Sequence, residues 1–132
     1  MMKDVLDTNI LVLALLSPYG SAAQVFDYVL NGSIAMCYDS RIMAEYLDVL
    51  SRPKFKFNQK WVDQIIEYIS QTGISIVPEP INIDFQDLDD KVFYEVAIQV
   101  EGYLVTENAK HYLAEPIVIS ATDFLMMLKK DK

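Results

Sequence analysis

The stretch 3-KDVLDTNILVLALL-16 joins a short apolar strand directly to an apolar helix. Residues 3–6 predict a buried β-strand, and Asp7 and Thr8 are residue types that favour the N-terminus of a helix over residues 9–16. Asp7 therefore lies where the strand ends and the helix begins. Such a junction is typical of the first unit of a protein in which strands alternate with helices.

The rest of the chain repeats this alternation. Further strands are predicted at residues 34–38, 74–77, 103–105 and 117–119. Helical patterns cover residues 21–30, 40–50, 58–71, 89–100 and 124–128, and the segment 78–88, with two prolines, predicts an extended loop. The pattern predicts an α/β fold, a three-layer α/β/α sandwich around a central, mainly parallel five-stranded sheet. With no repeat or linker in view, residues 1–132 are predicted to form a single domain.

Composition indicates a packed globular protein, because 52% of the residues are hydrophobic. The most apolar run, residues 10–16, is too short to span a bilayer and lacks the basic segment that precedes the apolar core of a signal peptide. Cys37 is the single cysteine, which excludes an internal disulfide, and its apolar surroundings predict a buried, inert thiol. We therefore expect a soluble cytoplasmic protein without a membrane segment.

The formal net charge of −8 by itself argues against binding to nucleic acid, because phosphate-binding proteins usually carry a basic surface. The objection weakens if several carboxylates gather around a bound cation, which reverses the local field. The placement of the acidic residues therefore decides the question.

Four polar residues are predicted to lie near one edge of the sheet. Asp7 follows the first strand, Glu45 sits in the second turn of the helix after the second strand, Asp90 begins the helix that leads to the fourth strand, and Asn108 lies just beyond that strand. Carboxylates that converge there repel one another unless a cation neutralises them or some are protonated. Oxygen ligands without a cluster of cysteine or histidine suit Mg²⁺ or Mn²⁺.

Each of these residues also has a purely structural interpretation. Asp7 could serve only as a helix cap, Asp90 could be favoured by the helix dipole, Glu45 could be an exposed helical acid, and Asn108 could be a turn residue. For any one residue the structural interpretation is the more common outcome. Their joint placement at one edge is what favours a site.

Four motifs in order resemble the PIN-domain family, in particular the group of toxin components of toxin–antitoxin systems. They are 5-VLDTNILV-12, 44-AEY-46 followed by 50-LSRPKF-55, 87-DLDDKVF-93, and 104-LVTEN-108 followed by 110-KHY-112. The resemblance extends over about residues 5–128. It implies a metal-dependent endoribonuclease that hydrolyses RNA phosphodiester bonds with Mg²⁺ or Mn²⁺.

Carried over residue by residue, the resemblance implies that Asp7, Glu45 and Asp90 form an acidic metal-binding triad. Asn108 stands where many members carry a fourth acid, so a second metal position should be weaker or absent. Glu107 replaces a common glycine, and its side chain is expected to point away from the site. Additional supporting residues implied by the motifs are Thr8, Asn9, Asp87 and Thr106.

Candidate RNA contacts occur in two basic segments. Arg52 and Lys54 alternate with aromatic residues, which could guide single-stranded RNA, although a solvated corner with Phe55 and Phe57 packed inward is the alternative. In the second segment Lys110 stands beside the sole histidine, His111, which could contact phosphate or be an ordinary exposed side chain.

Competing functions remain at this stage. Asn108 leaves open a catalytically weak or inactive PIN-like module that binds RNA or protein. Aspartyl phosphatases require a second aspartate where this chain has Asn9, and response-regulator receivers require one where it has Val77, so both are disfavoured.

The resemblance also implies two protein partners: a small antitoxin that covers the site, and a second copy of the chain in a homodimer. Apolar residues on the early helices are expected to form part of such a surface, namely Leu15, Leu16, Tyr19 and Phe26.

Overall fold

The computed structural model describes residues 2–82, 88–108, 112 and 115–130, with residues 88 and 89 described for their backbone alone. Five strands occur in this part of the chain: β1 (Met2–Leu6), β2 (Ile34–Tyr38), β3 (Ile74–Ser75), β4 (Leu104–Val105) and β5 (Val118–Ile119). The helices are α1 (Thr8–Leu16), α2 (Ser21–Leu30), α3 (Ser40–Leu50), α4 (Gln59–Thr72), α5 (Leu88–Val100) and α6 (Ala121–Lys130), with a short 3-10 helix at Pro53–Phe55.

All five strands are parallel and follow the order β3-β2-β1-β4-β5, so the predicted five-stranded α/β/α architecture is confirmed. From β1 the chain builds the sheet outward through β2 and β3, and it then returns to the other side of β1 to add β4 and β5. The strand order therefore reverses between β1 and β4, where Leu6 pairs with Val105. Open parallel sheets bind their ligands at the carboxyl ends of the strands beside such a reversal.

Helices cover both faces of the sheet, so the central strands are buried. Every residue of β2 is buried, as expected for a strand between two helical layers. Helix α2 packs on α1 and α6, whereas α5 lies against β1, β2 and β4 and also touches α3. Cys37 is buried within β2, and burial raises the pKa of its thiol to about 11, which confirms the inert thiol expected from the sequence.

Side-chain caps mark the start of α3 and α6. The Asp39 carboxylate accepts the Ile42 N–H at 2.9 Å at the start of α3, and the Ser120 hydroxyl accepts the Asp123 N–H at 3.1 Å at the start of α6. Asp7 occupies the same position before α1, but its side chain makes no capping hydrogen bond. The predicted position of Asp7 at the start of α1 is therefore confirmed, whereas the alternative that its side chain serves only as a helix cap is not supported.

Some element boundaries differ from the predicted ones. Strand β3 has two residues instead of four, and helix α6 spans ten residues instead of five. The residues that follow the α6 cap belong to the first helical turn, although the prediction left them outside it.

Within the described residues, no single helix combines the length and hydropathy of a membrane span; α1 and α2 reach them only as a pair, with a bend of 103° between the two helices.

Candidate metal centre at the edge of the sheet

Asp7 lies at the strand-order reversal, one residue after β1 ends. Its side chain is only 7% exposed, and the Thr106 hydroxyl donates a hydrogen bond to Asp7 Oδ2 at 2.7 Å. The Asn9 amide approaches the same carboxylate oxygen and the Thr106 hydroxyl, both at 3.4 Å. One residue that follows β1, Asn9, and one that follows β4, Thr106, thus hold the orientation of this carboxylate.

Burial raises the pKa of the Asp7 carboxyl group to about 6. The Thr106 hydrogen bond opposes this effect, whereas the negative charges of Asp90 and Glu45 raise the pKa further. The side chains of Asp90 and Glu45 are therefore close enough to Asp7 for their charges to repel its carboxylate. This repulsion is what a bound cation would relieve.

Glu45 lies in the second turn of α3 and is partly buried. The Thr8 hydroxyl donates a hydrogen bond to Glu45 Oε2, which links the start of α1 to α3. Because Thr8 directly follows Asp7, the same junction that presents one acid also orients the second.

Asp90 is the third residue of α5, and its backbone carbonyl accepts a hydrogen bond from the Tyr112 hydroxyl at 3.2 Å. Tyr112 is 1% exposed, and burial together with the charges of Asp7, Asp90 and Glu45 raises the pKa of its phenol. The sequence analysis did not single out Tyr112. An aromatic residue beyond a strand gave no signal that its hydroxyl would reach a helix start 22 positions earlier.

The loop after β4 is tied to the start of α1. The Asn108 N–H donates to the Thr106 hydroxyl at 3.0 Å, and the Glu107 N–H donates to Asn9 Oδ1 at 3.3 Å. The Glu107 side chain is exposed, whereas that of Asn108 is partly buried. These backbone hydrogen bonds thus bring residue 108 to the carboxyl end of the sheet, where Asp7 lies.

The donor chemistry at this edge fits a hard divalent cation, because the candidate ligands present only oxygen atoms. Across residues 2–82, 88–108, 112 and 115–130, no group of three or more acidic, histidine or cysteine side chains is close enough to enclose a metal ion. Asp7, Glu45 and Asp90 therefore lie near the carboxyl end of β1, where the charges of Glu45 and Asp90 act on Asp7, without forming a closed coordination shell among the described residues.

The segment that carries Arg52 and Lys54 follows the C-terminal end of α3. Arg52 pairs with Asp48 at 3.1 Å, Phe55 stacks on Phe57 with ring centroids 5.4 Å apart, and Lys54 lies 5.0 Å from the Phe55 centroid. The Phe55 ring is thus in contact with two other side chains, and Phe57 packs against the core. This arrangement favours the packed corner over a platform for stacking bases.

Three further predicted residues, Asp87, Lys110 and His111, lie outside the described residues.

The sequence analysis also missed an ionic cluster beside Glu45. Arg41, one helical turn before Glu45 on α3, pairs with Asp39 at 2.6 Å and with Glu95 of α5 at 3.2 Å. Asp39 and Glu95 are each only 5% exposed. Asp39 caps α3, and Glu95 follows Arg41 by 54 positions, so no local pattern in the sequence connects the three.

A protein-family model described as PIN domain matches residues 3–110, a span that contains Asp7, Glu45, Asp90 and Asn108. A comparison with curated proteins gave no match.

Proposed function

The chain belongs to the PIN-domain family, whose members are generally nucleases, and we propose that it is a metal-dependent endoribonuclease that hydrolyses RNA phosphodiester bonds. The observation that carries the proposal is the buried carboxyl group of Asp7 at the carboxyl end of β1, whose pKa is raised by burial and by the nearby charges of Asp90 and Glu45. Buried carboxylates that repel one another beside a strand-order reversal are typical of a cation site.

The proposed cofactor is Mg²⁺ or Mn²⁺, held by Asp7, Glu45 and Asp90. When bound, such a cation supplies positive charge that polarises the phosphoryl oxygen and acidifies the attacking water. At Asp7 the described side-chain contacts come from the Thr106 hydroxyl and the Asn9 amide, which carry no charge, so a bound cation would supply the positive charge there.

The polar neighbours orient the ligand oxygens. Thr106 and Asn9 contact one oxygen of Asp7, and Thr8 contacts one oxygen of Glu45. Such contacts restrict the rotation of a carboxylate and so reduce the entropy lost when it binds a cation. Tyr112 holds the first turn of α5, and with it the backbone of Asp90, by its hydrogen bond to the Asp90 carbonyl.

Asn108 lowers the negative charge that would hold a second cation, so we propose that one cation site dominates. The same residue, together with the incomplete coordination shell among the described residues, favours a second candidate function, a catalytically weak or inactive PIN-like module that binds RNA or protein. Cleavage by the wild-type chain separates the two, because a nuclease cuts RNA in Mn²⁺ and a binding module does not. If Asn108 is the cause of weak or absent activity, Asn108→Asp should increase metal-dependent cleavage.

Cleavage of a panel of structured and single-stranded RNAs in Mn²⁺ tests the proposal directly. The wild-type chain should cut RNA, Asp7→Asn should lose cutting by at least about 100-fold because it removes a ligand charge, and chelation by EDTA should abolish cutting. Asp27→Asn is the matched control, since Asp27 is an exposed aspartate of α2. Equal cutting by wild type and Asp7→Asn would assign any activity to a contaminant and contradict the proposal.

We also propose that the protein is the cytoplasmic toxin of a toxin–antitoxin pair, with a small antitoxin as partner and a homodimer as its own assembly. Exposed apolar side chains at the end of α1 and in the turn before α2 support a protein interface: Leu16 is 52% exposed and Tyr19 is 94% exposed. Phe26 is buried, so the expectation that it belongs to the exposed surface is wrong; it packs in the core and only lines a neighbouring groove.

Light scattering at high protein concentration tests the dimer. The wild-type chain should have the mass of two copies, and Leu16→Lys should have the mass of one. A wild-type monomer at all concentrations would contradict the homodimer without bearing on cleavage of RNA.

A further inference from the structure

A cavity of about 320 Å³ lies between the start of α3 and the segment that follows β3. Apolar walls come from Ile76, Pro78 and Pro80, and polar groups come from Ser40, Arg41 and Ser75. An apolar cavity with a few fixed polar groups is the usual form of a site for a small planar ligand.

Arg41 is the central polar group of this cavity. Its Nε and Nη2 atoms contact Asp39 Oδ2 at 2.8 and 2.6 Å, and its Nη1 atom contacts Glu95 Oε1 at 3.2 Å. Asp39 is fixed in turn by capping Ile42, and Glu95 accepts the Ile81 N–H at 3.0 Å. The guanidinium is thereby held in one orientation, although half of the Arg41 side chain remains exposed.

The cavity adjoins the proposed metal centre. A second cleft, of about 310 Å³, is lined by Arg41, Glu45, Asp48 and Val92, so Arg41 borders both spaces. Arg41 and Glu45 are neighbours one turn apart on α3, with Cβ atoms separated by roughly 6 Å. A strand of RNA that reaches Glu45 through the second cleft can therefore place an adjoining nucleotide at Arg41.

Charge decides which part of a nucleotide fits. Arg41 carries one positive charge against the two negative charges of Asp39 and Glu95, so the cluster is net negative and repels a phosphate. A nucleobase is neutral and has two flat faces that pack on apolar walls such as Pro78 and Pro80.

We propose that this cavity binds an unpaired guanine of the RNA substrate and so selects the cleavage site, an inference that rests on the proposed nuclease function. The guanidinium has five N–H groups, and three are used by Asp39 and Glu95, which leaves two for a ligand. Two N–H groups of one arginine match the O6 and N7 acceptors on the edge of guanine, and adenine and uracil offer no such adjacent pair. Cytosine offers O2 and N3, but its smaller ring covers less of the apolar walls than the two fused rings of guanine.

Sequencing the products of a randomised RNA pool cut in Mn²⁺ tests the inference. The wild type should prefer guanine at one position near the cut by about 5- to 100-fold, the discrimination of a bidentate arginine contact. Ser75→Leu places an apolar side chain in the cavity without touching the ion pairs, and it should reduce this preference to below about twofold. Ser70→Leu is the matched control, because Ser70 is an exposed serine of α4 outside the cavity.

A second measurement does not require cleavage. Titration of the metal-free full chain with guanosine, adenosine, cytidine, uridine or inorganic phosphate is followed by the backbone NMR signals of Ser40, Ser75 and Ile76. Guanosine should shift these signals in wild type and in Ser70→Leu and should not shift them in Ser75→Leu. Shifts caused by inorganic phosphate alone, or equally by all four nucleosides, would overturn the guanine assignment.

The two proposals fail in different ways. If the wild type does not cut RNA in Mn²⁺, the nuclease proposal is refuted, and the guanosine titration still tests whether the cavity binds guanine. If the wild type cuts RNA with no base preference and Ser75→Leu cuts identically, the nuclease proposal stands and the guanine site is refuted.

Discussion

Asp7 is the residue in which stability and function are opposed. A carboxylate that is 7% exposed and lies close to two other acids is unfavourable in the ionised form, and its pKa of about 6 reflects that cost. The fold keeps it because a strand end at the order reversal is where a cation can be bound. The cost should therefore be measurable in the metal-free protein.

Asp7→Asn should stabilise the metal-free protein at neutral pH. Because the folded-state pKa of about 6 lies above the ordinary value of 3.8, the folded state retains a proton that the unfolded chain has lost between these pH values. Wild-type stability therefore falls as the pH rises from about 4 to about 6, and the asparagine variant lacks this loss, worth up to about 3 kcal/mol.

Urea unfolding in EDTA at pH 7.5 and at pH 3.5 provides the measurement for Asp7→Asn. The variant should exceed the wild type in unfolding free energy at pH 7.5 and should equal it at pH 3.5, whereas the exposed control Asp27→Asn should follow the wild type at both. A variant that is less stable than wild type at pH 7.5 would show that the Asp7 carboxylate is stabilised by its surroundings.

Thr106→Val should weaken cation binding while the fold stays intact. Valine has nearly the same shape as threonine but lacks the hydroxyl that donates to Asp7 at 2.7 Å, and the Thr106 side chain is fully buried. Loss of a group that orients a metal ligand typically lowers metal affinity by about 10- to 100-fold. Calorimetry with Mn²⁺ measures this effect, and Thr106→Ser, which keeps the hydroxyl, should restore most of the affinity. Equal affinities for all three proteins would exclude the orienting role.

At the scale of residues, the sequence predicts well which side chains meet near the ends of strands. It predicts poorly which side chains pair between two helices. The residues just after β1 and β4 that were predicted to support the site are Thr8, Asn9 and Thr106. The structure places all three in contact with an acid or with each other. Arg41 and Glu95 occupy different helices, and their pairing depends on how those helices pack. No pattern of residue types along the chain encodes that packing.

At the scale of elements, the close approach of β4 to β1 depends on Gly102. A Cβ atom at this position would overlap the carbonyl oxygen of Lys3, because the backbone before β4 lies directly against β1. The Val5 N–H donates to the Tyr103 carbonyl at 2.8 Å, so the same contact begins the pairing of the two strands that carry Asp7 and Thr106.

Gly102→Ala should therefore destabilise the protein by at least about 3 kcal/mol, because the methyl group must push β4 away from β1. Gly32→Ala is the matched control, since Gly32 has a φ of +86° and no atom within 4 Å of the added Cβ; it should cost only about 1 kcal/mol for the left-handed backbone. Thermal or urea unfolding compares the two. Equal costs for both variants would show that the contact with Lys3 yields easily.

The strands that differ from prediction differ for reasons that lie outside their own sequence. Strand β3 ends at Ser75 because it lies at the edge of the sheet and pairs only with β2. Tyr38, the last residue of β2, accepts the Ile76 N–H at 2.9 Å, after which Val77 is 96% exposed and Pro78 has no N–H to donate. The mainly apolar residues 74–77 predict a strand of four residues, but β2 ends at Tyr38 and so limits how many of them can form backbone hydrogen bonds.

At the scale of the whole molecule, a net charge of −8 and a nucleic-acid substrate are compatible only if bound cations change the local field. Phosphates approaching Asp7, Glu45 and Asp90 meet acids that already repel one another. Among the described residues that line the adjoining cleft, Arg41 is the one cation. The carboxylates of Asp39 and Glu95 offset its positive charge. Binding of RNA, and not only its cleavage, should therefore depend on a divalent ion.

Fluorescence anisotropy of a labelled guanine-containing RNA tests this dependence in EDTA and in Ca²⁺, which binds carboxylate oxygens, with the RNA checked for integrity after each titration. Wild-type affinity should rise by at least about tenfold from EDTA to Ca²⁺, because the cation turns a repulsive edge into an attractive one. Asp7→Asn should respond in the opposite sense in the two buffers: tighter than wild type in EDTA, since one repelling charge is gone, and weaker than wild type in Ca²⁺, since one ligand is gone. RNA affinity that is identical with and without the cation would place the binding surface away from the acidic edge of the sheet.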